Sequence, residues 1–179
     1  MPPELHFDLT LYPDPLLRRP AAPVAAFDEE LAAIVAGMFE RMYASKGVGL
    51  AAPQVGLKKR ILVLSSSGKP EDELVLVNPT IVERSGPPTL FEEGCLSFPG
   101  IYAEVERPEN CRVRAFRADG TPLEETFGGF VSRIVQHEYD HLEGVLLVDR
   151  MSAADRVRHK TALEDLVARY KRKAAPARR

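Results

Sequence analysis

Gln136-His137-Glu138-Tyr139-Asp140-His141 is the stretch on which the reading of this chain turns. It sets two imidazoles four residues apart, with a carboxylate next to the first. In an α-helix, residues i and i+4 share a face one turn apart. Both rings can then hold one metal ion, and Glu138 can reach a water beside it, an arrangement suited to metal-assisted hydrolysis. Val131, Ile134 and Val135 lead into His137 at helical spacing and Gly144 supplies a C′ stop, so a helix is predicted over 130–142. The apolar lead-in implies a buried helix, in which Glu138 and Asp140 need partners. On the motif alone, a packed or solvated histidine pair stays open as a reading.

Upstream, the pattern is of short strands. Arg60 to Leu64 reads as a buried strand, and Ser65 to Asp72 as a polar loop. Leu74–Val77 and Ile81–Glu83 flank Asn78-Pro79, which should break them into separate strands. Tyr102–Glu106 and Cys111–Phe116 alternate, with Asp119-Gly120 as a hairpin turn into Leu123–Phe127. Pro13, Pro15, Pro20 and Pro23 make Leu9 to Val24 an extended arm along the surface. Asp28 is a candidate N-cap for a helix carrying Leu31, Ile34, Val35, Met38 and Met42, ending near Ser45 and stopped by Gly47 and Gly49. Ser152 is a candidate N-cap for a last helix with Leu163, Leu166, Val167 and Tyr170 on one stripe. The expected fold is α+β: antiparallel strands wrapped around a central metal-binding helix, with a C-terminal helix. No repeat or linker divides residues 1–179, so one domain is expected.

A catalytic metal site usually has three protein ligands and an open position. No further His or Glu follows His141 at the short spacing common in zinc peptidases. The upstream candidate is Cys95, in Glu92-Glu93-Gly94-Cys95-Leu96-Ser97, whose thiolate with two imidazoles suits zinc or ferrous iron. Alone, Cys95 would more often be a small core residue. Gly94 permits a close backbone approach. A third stretch, Gly47-Val48-Gly49-Leu50-Ala51-Ala52-Pro53-Gln54, presents the Gln54 amide from a tightly packed base. It lacks the G-x-x-x-x-G-K pattern of a phosphate cradle.

Taken in order, Gly47-Val48-Gly49-Leu50-Ala51-Ala52-Pro53-Gln54, Glu93-Gly94-Cys95-Leu96-Ser97 and the histidine motif resemble the motifs of the peptide deformylases of bacterial type. The resemblance runs from Leu11-Tyr12-Pro13-Asp14-Pro15-Leu16 to the C-terminal helix. It implies a hydrolase that removes the N-formyl group from the formyl-methionine of newly made polypeptides. It further implies Cys95, His137 and His141 as ligands of one ion, with Glu138 as general base and then acid. Gln54 and the Leu96 N–H would face the developing oxyanion. The family commonly uses Fe2+, with Zn2+, Ni2+ or Co2+ as substitutes. A methionine slot lined by Val131, Ile134, His137, Gly49, Leu50 and Ile101 is expected, with the peptide pairing to backbone near Val48 and Gly94; core packing is the other reading of each apolar position. Tyr102 stands where some relatives carry arginine, a departure that bears on contacts beyond the first residue.

Composition narrows the classes. With 45% hydrophobic and 28% charged residues the chain reads as globular. Lys and Arg total 24 against 26 Asp and Glu, a formal net charge of −2, which argues against DNA binding by the whole surface. Lys171, Arg172, Lys173, Arg178 and Arg179 form a basic end, either a solvated terminus or a contact to ribosomal RNA. Neither an export signal nor a membrane-length apolar run is visible, so a cytoplasmic protein with free Cys95 and Cys111 is expected. Two rivals remain at this point: a zinc peptidase cutting internal bonds, and a structural metal module closed by Cys111.

Overall fold

Ile61-Leu62-Val63-Leu64 sits at the middle of the molecule because both of its faces are covered. In a strand, alternate side chains point to opposite sides. Here Ile61 and Val63 pack with one hydrophobic cluster, while Leu62 and Leu64 join another. The computed structural model describes residues 3–175, so the Met1-Pro2 opening and the tail arginines Arg178 and Arg179 lie outside the described residues.

Five antiparallel strands are described, β1 (Gly49–Ala51), β2 (Ile61–Ser65), β3 (Glu73–Cys95), β4 (Phe98–Phe116) and β5 (Pro122–Phe127), and they pair in sequence order. Helix α1 (Glu29–Ala44) buries Leu31, Ile34, Met38 and Met42 on the Ile61 side. Helix α2 (Gly129–Leu142) brings Ile134, Val135 and Leu142 to the Leu62 side. A third cluster joins Leu17, Phe98, Ile101 and Leu146 to Leu166 of the C-terminal helix. This is the α+β arrangement expected, with an antiparallel sheet around α2.

Several local expectations need correction. Asn78-Pro79 does not split two strands, because β3 runs through it. Asn78 takes φ 51° at a register shift between Val77 and Thr80, and its side chain bonds both the N–H and the C=O of Val24. A bulge leaves one residue outside the ladder, so proline's missing donor costs nothing there. The segments 102–106 and 111–116 are likewise one strand, β4. A further irregularity, between Ser85 and Pro88, accommodates Pro88 opposite Pro108.

Helix ends follow the same logic with one surprise. Asp28 accepts a bond from the Leu31 N–H as its N-cap. The left-handed C′ residue of α1, however, is Lys46 (φ 55°) and not a glycine. Gly47 N–H returns to Met42 O and Lys46 N–H to Tyr43 O, the Schellman pattern. Gly144 (φ 74°) does close α2 as expected, with Val145 N–H bonded to Asp140 O. Ser152 caps a short α4 (Ala153–Arg158), after α3 (Leu147–Arg150), and the last helix α5 (Lys160–Ala174) starts beyond His159. The proline-rich arm is not extended throughout: Pro15–Arg18 is a 3-10 turn that buries Leu17 completely. No helix among the described residues is long and apolar enough to cross a membrane.

Candidate metal centre and active-site cleft

Two rigid pieces bring the site together. Helix α2 carries His137 and His141 one turn apart, their ring centroids 5.2 Å from each other. Against it lies the tip of the β3–β4 hairpin, where only Leu96 and Ser97 separate the strands and Cys95 is the last residue of β3. Cys95 Sγ is 3.3 Å from His141 Nε2. One donor atom from each of Cys95, His137 and His141 lies within 4.8 Å of the others, a spacing that one ion could bridge. The set of one sulfur and two imidazole nitrogens fits zinc or ferrous iron. Cys111 is no part of it: it is buried between β4 and α2, where the Ser132 hydroxyl donates to its Sγ at 3.3 Å. Among the described residues, the closed four-ligand module with Cys111 is therefore not formed.

Behind the ligands is a buried charge network. Glu93 Oε1 accepts from His137 Nδ1 at 2.9 Å, which turns His137 Nε2 toward Cys95 and His141. Arg107 grips Glu93 through two bonds of 2.7 and 3.0 Å and reaches Asp140 Oδ2 at 3.0 Å. Arg133 adds a bond of 2.6 Å to Glu93, and Arg150 holds Asp140 from the other side. The partners required by a buried Asp140 are thus Arg107 and Arg150.

The network sets the protonation pattern. Burial would push the Glu93 carboxyl up, but its bonds from His137 and Arg107 hold it well below the usual carboxylate range. Burial disfavours a charged His137 ring, yet bonds to Cys95 and Glu93 lift its pKa well above the ordinary value. Burial and repulsion from His137 and Arg107 hold His141 well below it. Glu138 is different. Burial pushes its carboxyl up to about 7, and Oε2 has no hydrogen-bond partner among the described residues. An acid-base group poised near neutrality and free to take a proton is suited to general catalysis.

Gln54 is held by its own oxygen. The Ala51 N–H donates to Oε1 at 2.9 Å, so the Nε2 donor is directed to Ser97 Oγ at 3.3 Å and Cys95 Sγ at 3.6 Å. Ser97 in turn donates to Thr10 O at 2.8 Å, and the arm closes over the site through Thr10 N–H to Gln54 O.

A cleft of about 730 Å³ opens beside the ligands. Val48, Gly49, Gly94, Leu96, Ile101, Ile134, His137 and Glu138 line it. Leu50 and Val131 do not. Leu50 alternates away from Gly49 into the α1 cluster, and Val131 turns toward the cluster containing Val135. Phe130, four residues before Ile134 on the same helix face, lines the cleft where Val131 was expected. Gly49 is there for clearance: a Cβ would stand 2.7 Å from both Glu138 Oε1 and Ile134 Cγ2. Tyr102, 56% exposed, packs over Gly94 at the rim. Arg107, Arg133, Ser97, Phe91 and Phe130 are members of the site or its support to which no sequence motif assigns a role. Arg107 and Arg133 had no local signal, since their partners lie 14 to 44 residues away.

A family model described as polypeptide deformylase matches residues 7–157. The chain is 50% identical over 147 residues to a peptide deformylase of Acidobacterium capsulatum, covering 81% of this chain and 86% of that one. A peptide deformylase of Thermotoga petrophila is 41% identical over 166 residues, with 93% and 99% covered. The solved peptide deformylase of Plasmodium falciparum superposes with a TM-score of 0.92 at 41% identity, covering 94% of this chain and 100% of that chain.

Proposed function

Since the chain belongs to the polypeptide deformylase family, we propose a division of labour among its own residues for hydrolysis of a terminal formamide. The protein is a metal-dependent hydrolase that removes the N-formyl group from nascent polypeptides and releases formate. Cys95, His137 and His141 hold the ion. When bound, a divalent metal here acidifies water and polarises a carbonyl oxygen. Glu138 takes the proton of the attacking water and later passes it to the departing amine. Gln54 Nε2 and the Leu96 N–H face the oxygen on which negative charge develops, each donor worth about 3 kcal/mol. The formyl-methionine side chain enters between Ile134, His137, Gly49 and Ile101, and the peptide runs along the backbone at Val48 and Gly94.

The observation that carries this reading is the unpartnered Glu138 Oε2 in a cleft shared with a Cys-His-His donor set. Its test is formate release from formyl-Met-Ala, set against cleavage of a blocked internal peptide. Release of formate alone supports the assignment. Cleavage of the internal bond would instead favour the peptidase reading.

Iron is the ion proposed in the cell, with zinc, nickel or cobalt accepted by the same donors. Anaerobic purification with metal analysis decides between them. We place the protein in the cytoplasm, acting as one domain on chains leaving the ribosome. Lys171, Arg172 and Lys173 in the last turn of α5 are exposed and suited to RNA phosphates. Truncation after Val167 should then weaken salt-sensitive co-sedimentation with ribosomes.

A further inference from the structure

Arg133 is over-provided for the task of neutralising Glu93. Arg107 already grips that carboxylate with two bonds, one from Nε and one from Nη2. Arg133 contributes a single bond there, from Nη1, and gives another from the same nitrogen to Val105 O at 3.0 Å. Its Nη2 is spent elsewhere, on Thr89 O at 2.7 Å and Thr89 Oγ1 at 2.9 Å. The guanidinium carbon also stands 5.4 Å from the centre of the Phe91 ring, within cation–π reach.

Thr89 and Phe91 belong to the segment of β3 that forms one lip of the cleft. Phe91 is 51% exposed and meets Phe130, 47% exposed, at 6.3 Å across the mouth. Large half-exposed rings beside a cleft mark a surface that receives a ligand. The ladder to β4 holds the backbone of this lip, with Thr89 opposite Arg107 and Phe91 opposite Val105, but its side chains have few partners, since Ser85 to Glu92 is exposed apart from Thr89. Arg133 projects from α2, one turn before His137, and its side chain is only 8% exposed. One planar group thus spans from the carboxylate behind a metal ligand to the strand that faces the peptide.

We propose that Arg133 is a positioning residue which fixes the Thr89–Phe91 lip and the Glu93–His137 pair in one geometry, so that peptide capture and metal retention depend on the same guanidinium. The proposal rests on the deformylase reading for the identity of the peptide and extends it to a cleft-lining residue outside the candidate donor set. Lysine cannot replace it, because a single ammonium lacks the fork that serves Glu93 and Thr89 at once.

The test uses full-length protein loaded with Co2+, and reads cobalt affinity by chelator competition alongside kcat and KM on formyl-Met-Ala-Ser. Arg133→Lys should lower cobalt affinity about 10-fold, as loss of groups that orient ligands does, and raise KM, with kcat at saturating metal little changed. Thr89→Val removes the hydroxyl that accepts from Arg133 and donates to Arg107 O and leaves the Thr89 carbonyl in place, so KM should rise about 3-fold, the worth of one hydrogen bond, with cobalt affinity unchanged. An Arg133→Lys protein that alters one readout without the other overturns the proposal. Should that variant not fold, Thr89→Val and Phe91→Leu decide: an unchanged KM in both refutes the lip role. Formate release by the unsubstituted protein tests the function itself, whereas these ratios test Arg133.

Discussion

Glu93 Oε1 stands 2.9 Å from His137 Nδ1, while both its oxygens are also held by Arg107. A negative charge behind the ring raises its basicity as a ligand and fixes its tautomer. Glu93→Gln keeps the shape and removes the charge. Metal affinity should fall about 10- to 100-fold, and leaving buried Arg133 without its counter-charge, and Arg107 with Asp140 alone, should cost about 3–5 kcal/mol of stability. The Glu93 pKa lies below its unfolded value near 4.5 because of the His137 and Arg107 bonds, against the effect of burial. Its stabilisation is therefore complete above that value and declines as pH falls below it. Denaturant unfolding from pH 7 to pH 3 should show the gap between wild type and variant narrowing in acid; a constant gap contradicts the assignment.

Glu138→Gln should retain the metal and lose turnover by about 10²- to 10⁴-fold, the usual worth of a positioned acid-base group. A pH effect accompanies it in chelator-treated protein. Burial raises the folded pKa to about 7 from an ordinary 4.5, so the folded state binds a proton the unfolded chain releases. Stability falls as pH rises through that window. Relative to the Gln variant, wild type should lose up to about 3 kcal/mol between pH 4.5 and pH 7. Parallel stability curves would remove burial as the cause.

Gln54→Ala should reduce kcat about 10²- to 10³-fold, as loss of an oxyanion donor does, and leave cobalt affinity unaltered. Ser97→Ala, which removes one of the groups that Gln54 Nε2 meets, should cost less. A kcat within 2-fold of wild type for Gln54→Ala, roughly the size of a surface substitution, counts against the donor role.

Gly49→Ala places a methyl 2.7 Å from Glu138 Oε1 and from Ile134 Cγ2. Both neighbours are buried, so relief must come from moving the base or the slot wall. We expect kcat to fall and KM to rise while the metal stays bound, measured by steady-state kinetics and metal analysis. Unchanged kinetics would mean that Glu138 is free to shift.

How far the sequence could be read depended on the range of the interactions. The candidate donor set is legible because the His137/His141 spacing is a property of one helix, and Cys95 and Gln54 sit in compact motifs. The same holds for the Asp28 cap and the Gly144 stop, whose bonds span a few residues. Arg107 and Arg133 gave no such sign, because what defines them is a carboxylate on a different element. Asn78-Pro79 misled for a related reason. Proline's local rule is obeyed, but through a bulge steadied by Val24, 54 residues away. Leu50 and Val131 take the core reading that stood open beside the slot, because apolar character does not say which of two buried faces a side chain takes.

Glu93 and Cys95 sit two positions apart on one strand, and both reach the helix that bears the histidines. The sulfur and the prop behind its neighbouring ring therefore travel together. Sliding the hairpin by a single position would swing both to the opposite side at once, leaving the two histidines of α2 without either. The centre is built to be whole or lost, and a length change within β3 near its tip should be far more damaging than most substitutions there.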